Sequence, residues 1–214
     1  MPLKVVPASE ADAARSAAIE AIAYGPTAVS RVLFPGPFPS DGSSRVDVLV
    51  QQLRADPACR WLKVVDTDLA DRGEEDMVAF AKWYIWEGEP IYREPTWGPG
   101  TNPEMCDAFF GEMTRRWWER YERRPHLYLK LLHTDPEHQR RGAAGMLLDW
   151  GTAEADRLGL ESYLESSPQG YGLYLKYGFE EVGRHTVDLS DHGETEDATA
   201  VLMMRKPRAL SEEA

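Results

Sequence analysis

The sequence predicts a single α/β domain on a mixed sheet, with strands both parallel and antiparallel. Three observations predict it. The chain has 214 residues, enough for one sizeable core and short of two full domains. Apolar residues make up 43% and charged residues 28%, a globular balance with no long disordered stretch. Strand-like and helix-like runs alternate, most regularly in the second half, and this order suits a mixed sheet with helices packed on it.

The elements follow in order. Leu3 to Val6 is a short β-like run. Ser9 to Asp12 then reads as a capping-box variant that opens a helix carrying Ala14, Ala17, Ala18, Ala21 and Ile22 at helical spacing. Gly25-Pro26 stops it. Leu33 to Ser44 is a loop rich in Pro, Gly and Ser, and Arg45 to Arg54 is a second helix. Trp61 to Asp66 and Met77 to Trp86 read as antiparallel strands around the polar turn Asp68 to Asp76. Glu87 to Asn102 is an irregular insertion rich in proline and glycine. Pro103 to Glu122 is a helix with Phe109, Phe110, Met113, Trp117 and Tyr121 on one side. His126 to His133 is the best strand. A helix led in by Pro136 to Gln139 runs to about Leu158, with an apolar stripe of Ala143, Met146, Leu147, Trp150 and Ala153. Glu161 to Glu165 is a strand, and Gly170 to Tyr177 is a short helix stopped by Gly178. Phe179 to Leu189 and Ala198 to Met204 close the domain as strands around a charged hairpin loop. The domain spans residues 1–206, and the polar tail 207–214 is expected to fray.

Composition excludes several classes. The formal net charge is −12, the reverse of a nucleic-acid binder. No run of about 18 apolar residues could cross a membrane, and the first residues do not read as a signal peptide. Two distant cysteines, Cys59 and Cys106, suit neither a disulfide framework nor zinc, so no metal and a cytoplasmic location are expected. The acidic balance keeps the chain soluble and favours cationic partners.

The feature that carries chemistry is the strongest strand followed by Gln139-Arg140-Arg141-Gly142-Ala143-Ala144 at the start of a helix. A helix N-terminus has unpaired N–H groups and about half a positive charge, and so binds phosphate. Gly142 lets the backbone approach an anion, Ala144 stays small, and Arg140 and Arg141 add charge at the mouth. No Gly-Lys-Ser/Thr follows and no G-x-G-x-x-G is present, so neither a Walker loop nor a dinucleotide fingerprint fits.

This turn resembles the pyrophosphate-binding turn of the GNAT superfamily of acyl-CoA N-acyltransferases, with Gln139, Gly142 and Ala144 in its Q/R-x-x-G-x-G/A positions. About 30 residues on, Leu173, Tyr174, Lys176, Gly178 and Phe179 match that family's L-Y-x-K-x-G-F segment. The resemblance covers residues 3 to 205 in element order and is sharpest from Leu127 to Gly183. It is similar to GNAT proteins of the fungal type. It implies the GNAT fold, an α/β domain whose mixed, mostly antiparallel sheet splays between strands 4 and 5, with helices on both faces. It implies acetyl-CoA as co-substrate, held by the turn (Ala143 included), by Leu132, His133 and Thr134 on strand 4, and by Ser167, Tyr174 and Lys176. Ser167 stands where many relatives have Asn.

It further implies acetyl transfer to a primary amine of a small molecule or peptide by direct attack in a ternary complex. Tyr174 is then the acid for the departing thiolate, since a phenol is a competent donor to a thiolate. The family's glutamate base has no clear counterpart. Glu165, ending the fifth strand, and His133, ending the fourth, are the two candidates. Cys106 as an acyl carrier lacks a paired His. The acidic balance and the aromatic insertion suggest a cationic or aromatic amine, and a monomer or homodimer is expected. Two rival readings stand. One is a non-catalytic acyl-CoA-binding regulatory module, distinguished by turnover. The other is an interaction protein docking through Trp83 to Trp97, distinguished by failure to bind CoA.

Overall fold

The computed structural model describes residues 2–25, 27–39 and 43–209, the last segment without the side chains of 43 and 44. Pro26, residues 40–42 of the predicted loop, and the end of the predicted tail from 210 onward lie outside the described residues.

Strand β1 (Leu3–Pro7) leads into a 3-10 turn in which the Ser9 N–H donates to the Asp12 carboxylate at 2.7 Å, the expected box. Helix α1 (Ala13–Tyr24) ends at Gly25, whose φ of 43° suits glycine. Helix α2 (Ala28–Leu33), absent from the sequence reading, is capped by Thr27, whose hydroxyl accepts from the Ser30 N–H. Then come α3 (Ser43–Ala55), β2 (Cys59–Asp66), the single turn α4 (Thr67–Ala70) inside the predicted polar turn, and β3 (Met77–Trp86).

The predicted helix from Pro103 is interrupted. Helices α5 (Pro103–Cys106) and α6 (Glu112–Tyr121) flank a π-helical turn over Asp107–Gly111. Such a turn inserts a residue without breaking the helix, so apolar periodicity gives no warning of it. Strand β4 (His126–Thr134), helix α7 (Ala143–Leu158), strand β5 (Ser162–Ser166), helix α8 (Tyr171–Lys176) and strands β6 (Glu180–Val187) and β7 (Ala198–Arg205) complete the chain.

The sheet order is β1-β2-β3-β4-β5-β7-β6, and every pairing is antiparallel except β4 with β5. Strand alternation sorts the core onto two faces. Ala81, Trp83, Leu127, Leu129 and Leu164 pack with α7. Phe80, Trp86, Tyr128 and Tyr163 point the other way, under α1, α3 and α6. The buried face of α7 is Ala143, Leu147, Leu148, Gly151, Thr152 and Ala155. Ala153, assigned to its stripe from sequence, is exposed. Gly151 is what lets α7 lie close: a Cβ there would come within 2.1 Å of the Trp83 ring.

Candidate active site

The site begins where two strands part. Strands β4 and β5 pair only from Leu127, Tyr128 and Leu129 to Ser162, Tyr163 and Leu164. Beyond that rung β4 carries a bulge. Trp83 faces Leu129 while Lys82 faces Leu131, so Lys130 is the extra residue. Strand β5 continues beside β7 instead, Glu165 facing Leu202 and Ser166 facing Val201. The far end of β4 is left with a free edge. Its Leu132 carbonyl accepts the Tyr24 hydroxyl at 3.3 Å, and its Thr134 carbonyl accepts Gln139 Nε2 at 3.4 Å. In an extended strand the N–H and C=O of one residue point the same way, so both residues offer a donor and an acceptor to the cleft. His133 alternates with them and turns away.

The chain then turns into α7. Asp135 caps a 3-10 turn over Pro136–His138, accepting from the Glu137 N–H at 3.1 Å. Arg140 adopts φ 62° and Gly142 φ 89°, and the helix starts at Ala143 rather than at Gln139. The N–H groups of Ala143, Ala144 and Gly145 have no acceptor in the described protein, and the first turn of α7 contains no acidic residue. The positive end of the helix is therefore uncompensated. No atom lies within 4 Å of where a Cβ on Gly142 would stand, so the space before the turn is open. Arg141 has a different role from the one its sequence position suggests. Its guanidinium reaches Asp66 at 2.6 Å and His138 Nδ1 at 2.9 Å, tying the turn to the end of β2. That contact holds the Asp66 carboxyl below the usual carboxylate range. Arg140 is exposed at the mouth.

On the α1/α3 face, just past the last β4–β5 rung, stands a polar chain. The Tyr128 hydroxyl lies 2.7 and 2.6 Å from the two oxygens of Glu165, and Lys130 Nζ donates to the Tyr128 oxygen at 2.6 Å. Lys130 Nζ is 3.7 Å from Glu165. Burial, reinforced by the Glu165 charge, pushes the Tyr128 phenol well above its ordinary value. Tyr128 thus stays protonated and donates to the carboxylate.

Tyr174 sits on α8 and is 8% exposed. Its ring meets Phe179 edge-on at 6.0 Å and lies against Gly170, beside the end of β5. Its hydroxyl has no hydrogen-bond partner among the described residues. Burial, and then the neighbouring Tyr24, push its phenol up, so it keeps its proton at any working pH. Ser167 Oγ accepts the Gly170 N–H at 3.3 Å and shapes the approach to α8, on which Lys176 is exposed.

His133 and Cys106 are placed elsewhere. The His133 ring stacks on Phe80 at 5.4 Å, its Nε2 is 3.1 Å from the Ser16 hydroxyl, and burial lowers its pKa to about 4. Cys106 is buried with its thiol on the Leu33 carbonyl, and burial pushes it up to about 11, far from a reactive thiolate. The sequence reading missed Tyr128, Lys130 and Tyr24. For the first two a signal existed: they interrupt the apolar run from Leu127 to Leu132 in the strand before the turn already singled out.

A family model described as the acetyltransferase (GNAT) family matches residues 34–179. The chain belongs to the GNAT acetyltransferase family. The fork between β4 and β5 and the turn before α7 fall inside the matched span. Solved structures share the fold along nearly the whole chain. One is a histone acetyltransferase HPA2 and related acetyltransferase from Corynebacterium glutamicum, 20% identical over 99% of each chain with a TM-score of 0.60. Another is a GNAT phosphinothricin acetyltransferase from Sinorhizobium meliloti in complex with AcCoA, 13% identical over 100% of this chain and 93% of the other, with a TM-score of 0.56. The C-terminal condensation domain of Ebony, in complex with beta-alanyl-dopamine, is 14% identical over 95% and 98% with a TM-score of 0.65. No curated protein matches the chain. No helix is long and apolar enough to cross a membrane, and no cluster of three or more metal-ligating side chains occurs among the described residues.

Proposed function

We propose that this GNAT protein is an acetyl-CoA-dependent N-acetyltransferase acting on a primary amine by direct attack in a ternary complex. The observation that carries the reading is the joint geometry of the cleft. An open, donor-rich helix start with no acidic residue adjoins a strand edge that no neighbouring strand covers, and both lead to a phenol without a partner among the described residues.

The residues fit acyl-CoA. The turn from Gln139 to Ala144 holds the pyrophosphate through backbone N–H groups, with Arg140 at its mouth. Leu132 and Thr134 offer backbone groups to the pantetheine arm, and Ser167 and Lys176 border its far side. When bound, the coenzyme supplies an activated acyl thioester.

The chain's own groups move the protons. Glu165 takes a proton from the acceptor ammonium, directly or through water, because only the neutral amine has a lone pair to attack with. Tyr128 and Lys130 orient that carboxylate. As the C–N bond forms and the C–S bond breaks, Tyr174 donates a proton to the departing sulfur, and the second proton of the attacking nitrogen, passed through water, restores the phenol. Holding the two substrates in line at the fork supplies much of the rate. His133, packed against Phe80 and α1, is a structural residue in this scheme.

The test is release of free coenzyme A thiol from acetyl-CoA in the presence of a broad amine panel, with products identified by mass. Amine-dependent release supports the reading. Coenzyme binding without turnover would favour the regulatory module instead.

A further inference from the structure

Tyr24 stands at the fork with no part in the proton transfers. It is the last residue of α1, and Gly25 turns the chain away behind it at φ 43°. The residue is 45% exposed, so the core does not require its ring. The ring is nevertheless held. It meets the His133 ring edge-on, with centroids 6.3 Å apart and planes at 84°. His133 is itself fixed between Phe80 and the Ser16 hydroxyl. This aims the Tyr24 hydroxyl at the free edge of β4, where it donates to the Leu132 carbonyl at 3.3 Å. An O–H···O bond is usually about 2.7–2.8 Å long, so the contact is a weak anchor. The hydroxyl can leave it for a better acceptor at little cost.

Tyr24 and Tyr174 enter the fork from opposite walls. Tyr174 lies against Gly170, beside the end of β5, and Tyr24 reaches the edge of β4. They are close enough that a charge on one is felt by the other. An acyl thioester has two atoms that gain negative charge during transfer, the sulfur and the carbonyl oxygen. Tyr174 serves the sulfur in the proposed reaction, which leaves the oxygen. The Leu132 N–H points to the same side of the strand as its carbonyl, so Tyr24 sets a second donor beside a backbone one. In the proposed reaction Leu132 gives its carbonyl to the pantetheine arm, and this frees the Tyr24 hydroxyl.

We propose that Tyr24 is a further catalytic residue, whose hydroxyl donates to the thioester carbonyl oxygen beside the Leu132 N–H. This inference rests on the acetyltransferase reading. Tyr24 keeps its proton throughout. As the C–N bond forms, negative charge gathers on the carbonyl oxygen under the two donors. The charge returns to remake the carbonyl as the C–S bond breaks. A neutral phenol suits the place, because it stabilises that charge without setting a positive charge against the incoming amine. His133 contributes as the surface that aims the ring.

The experiment compares the wild type with Tyr24→Phe, which keeps the ring on His133 and removes only the hydroxyl. Infrared difference spectra of bound acetyl-CoA, isotope-labelled at the carbonyl carbon and taken without acceptor, read the contact itself. The wild type should lower the carbonyl stretching frequency relative to free acetyl-CoA, and Tyr24→Phe should lose most of that shift. Tyr174→Phe, which acts at the sulfur, should leave the shift in place. In Tyr24→Phe, kcat should fall by about 100-fold. Affinity for free coenzyme A, which has no thioester carbonyl, should stay within about twofold. An unchanged carbonyl frequency in Tyr24→Phe, alongside amine-dependent transfer by the wild type, overturns the inference and leaves the acetyltransferase reading standing. A fall in kcat matched by an equal loss of coenzyme A affinity also overturns it, since that marks a structural role. No transfer to any acceptor by the wild type, despite coenzyme binding, overturns that reading and this inference with it.

Discussion

At the residue scale, two groups in different surroundings take opposite proton tasks in the proposed reaction. Tyr174 is buried on α8 with a hydroxyl that has no partner among the described residues, and Glu165 receives the Tyr128 hydroxyl across the fork. Tyr174→Phe keeps the ring that packs on Phe179 and removes only the donor. It should lower kcat by about 100-fold while leaving coenzyme affinity, read by calorimetry, within about twofold. Unchanged turnover would remove Tyr174 from the mechanism. The sequence made Tyr174 legible because its neighbours Leu173, Lys176, Gly178 and Phe179 form a contiguous pattern. Glu165 was visible only as the end of a strand. What singles it out is its meeting with Tyr128 and Lys130, residues 35 or more positions away, and no local pattern encodes that.

At the element scale, helix α7 does two jobs: its start opens on the cleft and its length anchors the sheet. The anchor depends on close approach. Gly151 faces Trp83, which is fully buried on β3, the strand that pairs with the bulge of β4. Gly151→Ala should therefore destabilise the protein by about 1–3 kcal/mol in denaturant titration, because the ring has no room to retreat. A loss below about 0.5 kcal/mol would contradict this packing. The seven strands and five of the helical segments were readable because apolar period and turn residues agree along them. Helices α2 and α4 escaped notice because each is too short for a periodic signal. The π-helical turn was hidden for the opposite reason, lying within one continuous helical pattern. Arg141 looked like a ligand for an anion and instead grips Asp66, since a basic residue beside an anion site and one bracing its loop look alike in sequence.

At the scale of the whole molecule, buried histidines set a pH limit. Burial brings both His126 and His133 down to about 4. His126 accepts the Trp117 indole N–H at 2.9 Å on Nε2, a contact that requires an unprotonated nitrogen. Unfolded histidine titrates near 6.5, so between about 6.5 and 4 the unfolded chain binds more protons than the folded one. Stability should fall as pH drops through that window, by up to about 3 kcal/mol for each histidine. Unfolding free energies that stay flat from pH 6.5 to 5, above the carboxylate range, would contradict it. The proposed anion site at the start of α7 sits on a chain of net charge −12, so coenzyme binding there would have to overcome long-range repulsion through local donors. The most direct test of the account is calorimetric titration of coenzyme A into the wild-type chain and into Ala144→Glu. That substitution sits in the first turn of α7, where a carboxylate favours the helix, so the melting temperature should hold or rise. The account predicts saturable binding by the wild type and its loss in the variant. No heat with the wild type, or equal affinity in both proteins, would contradict it.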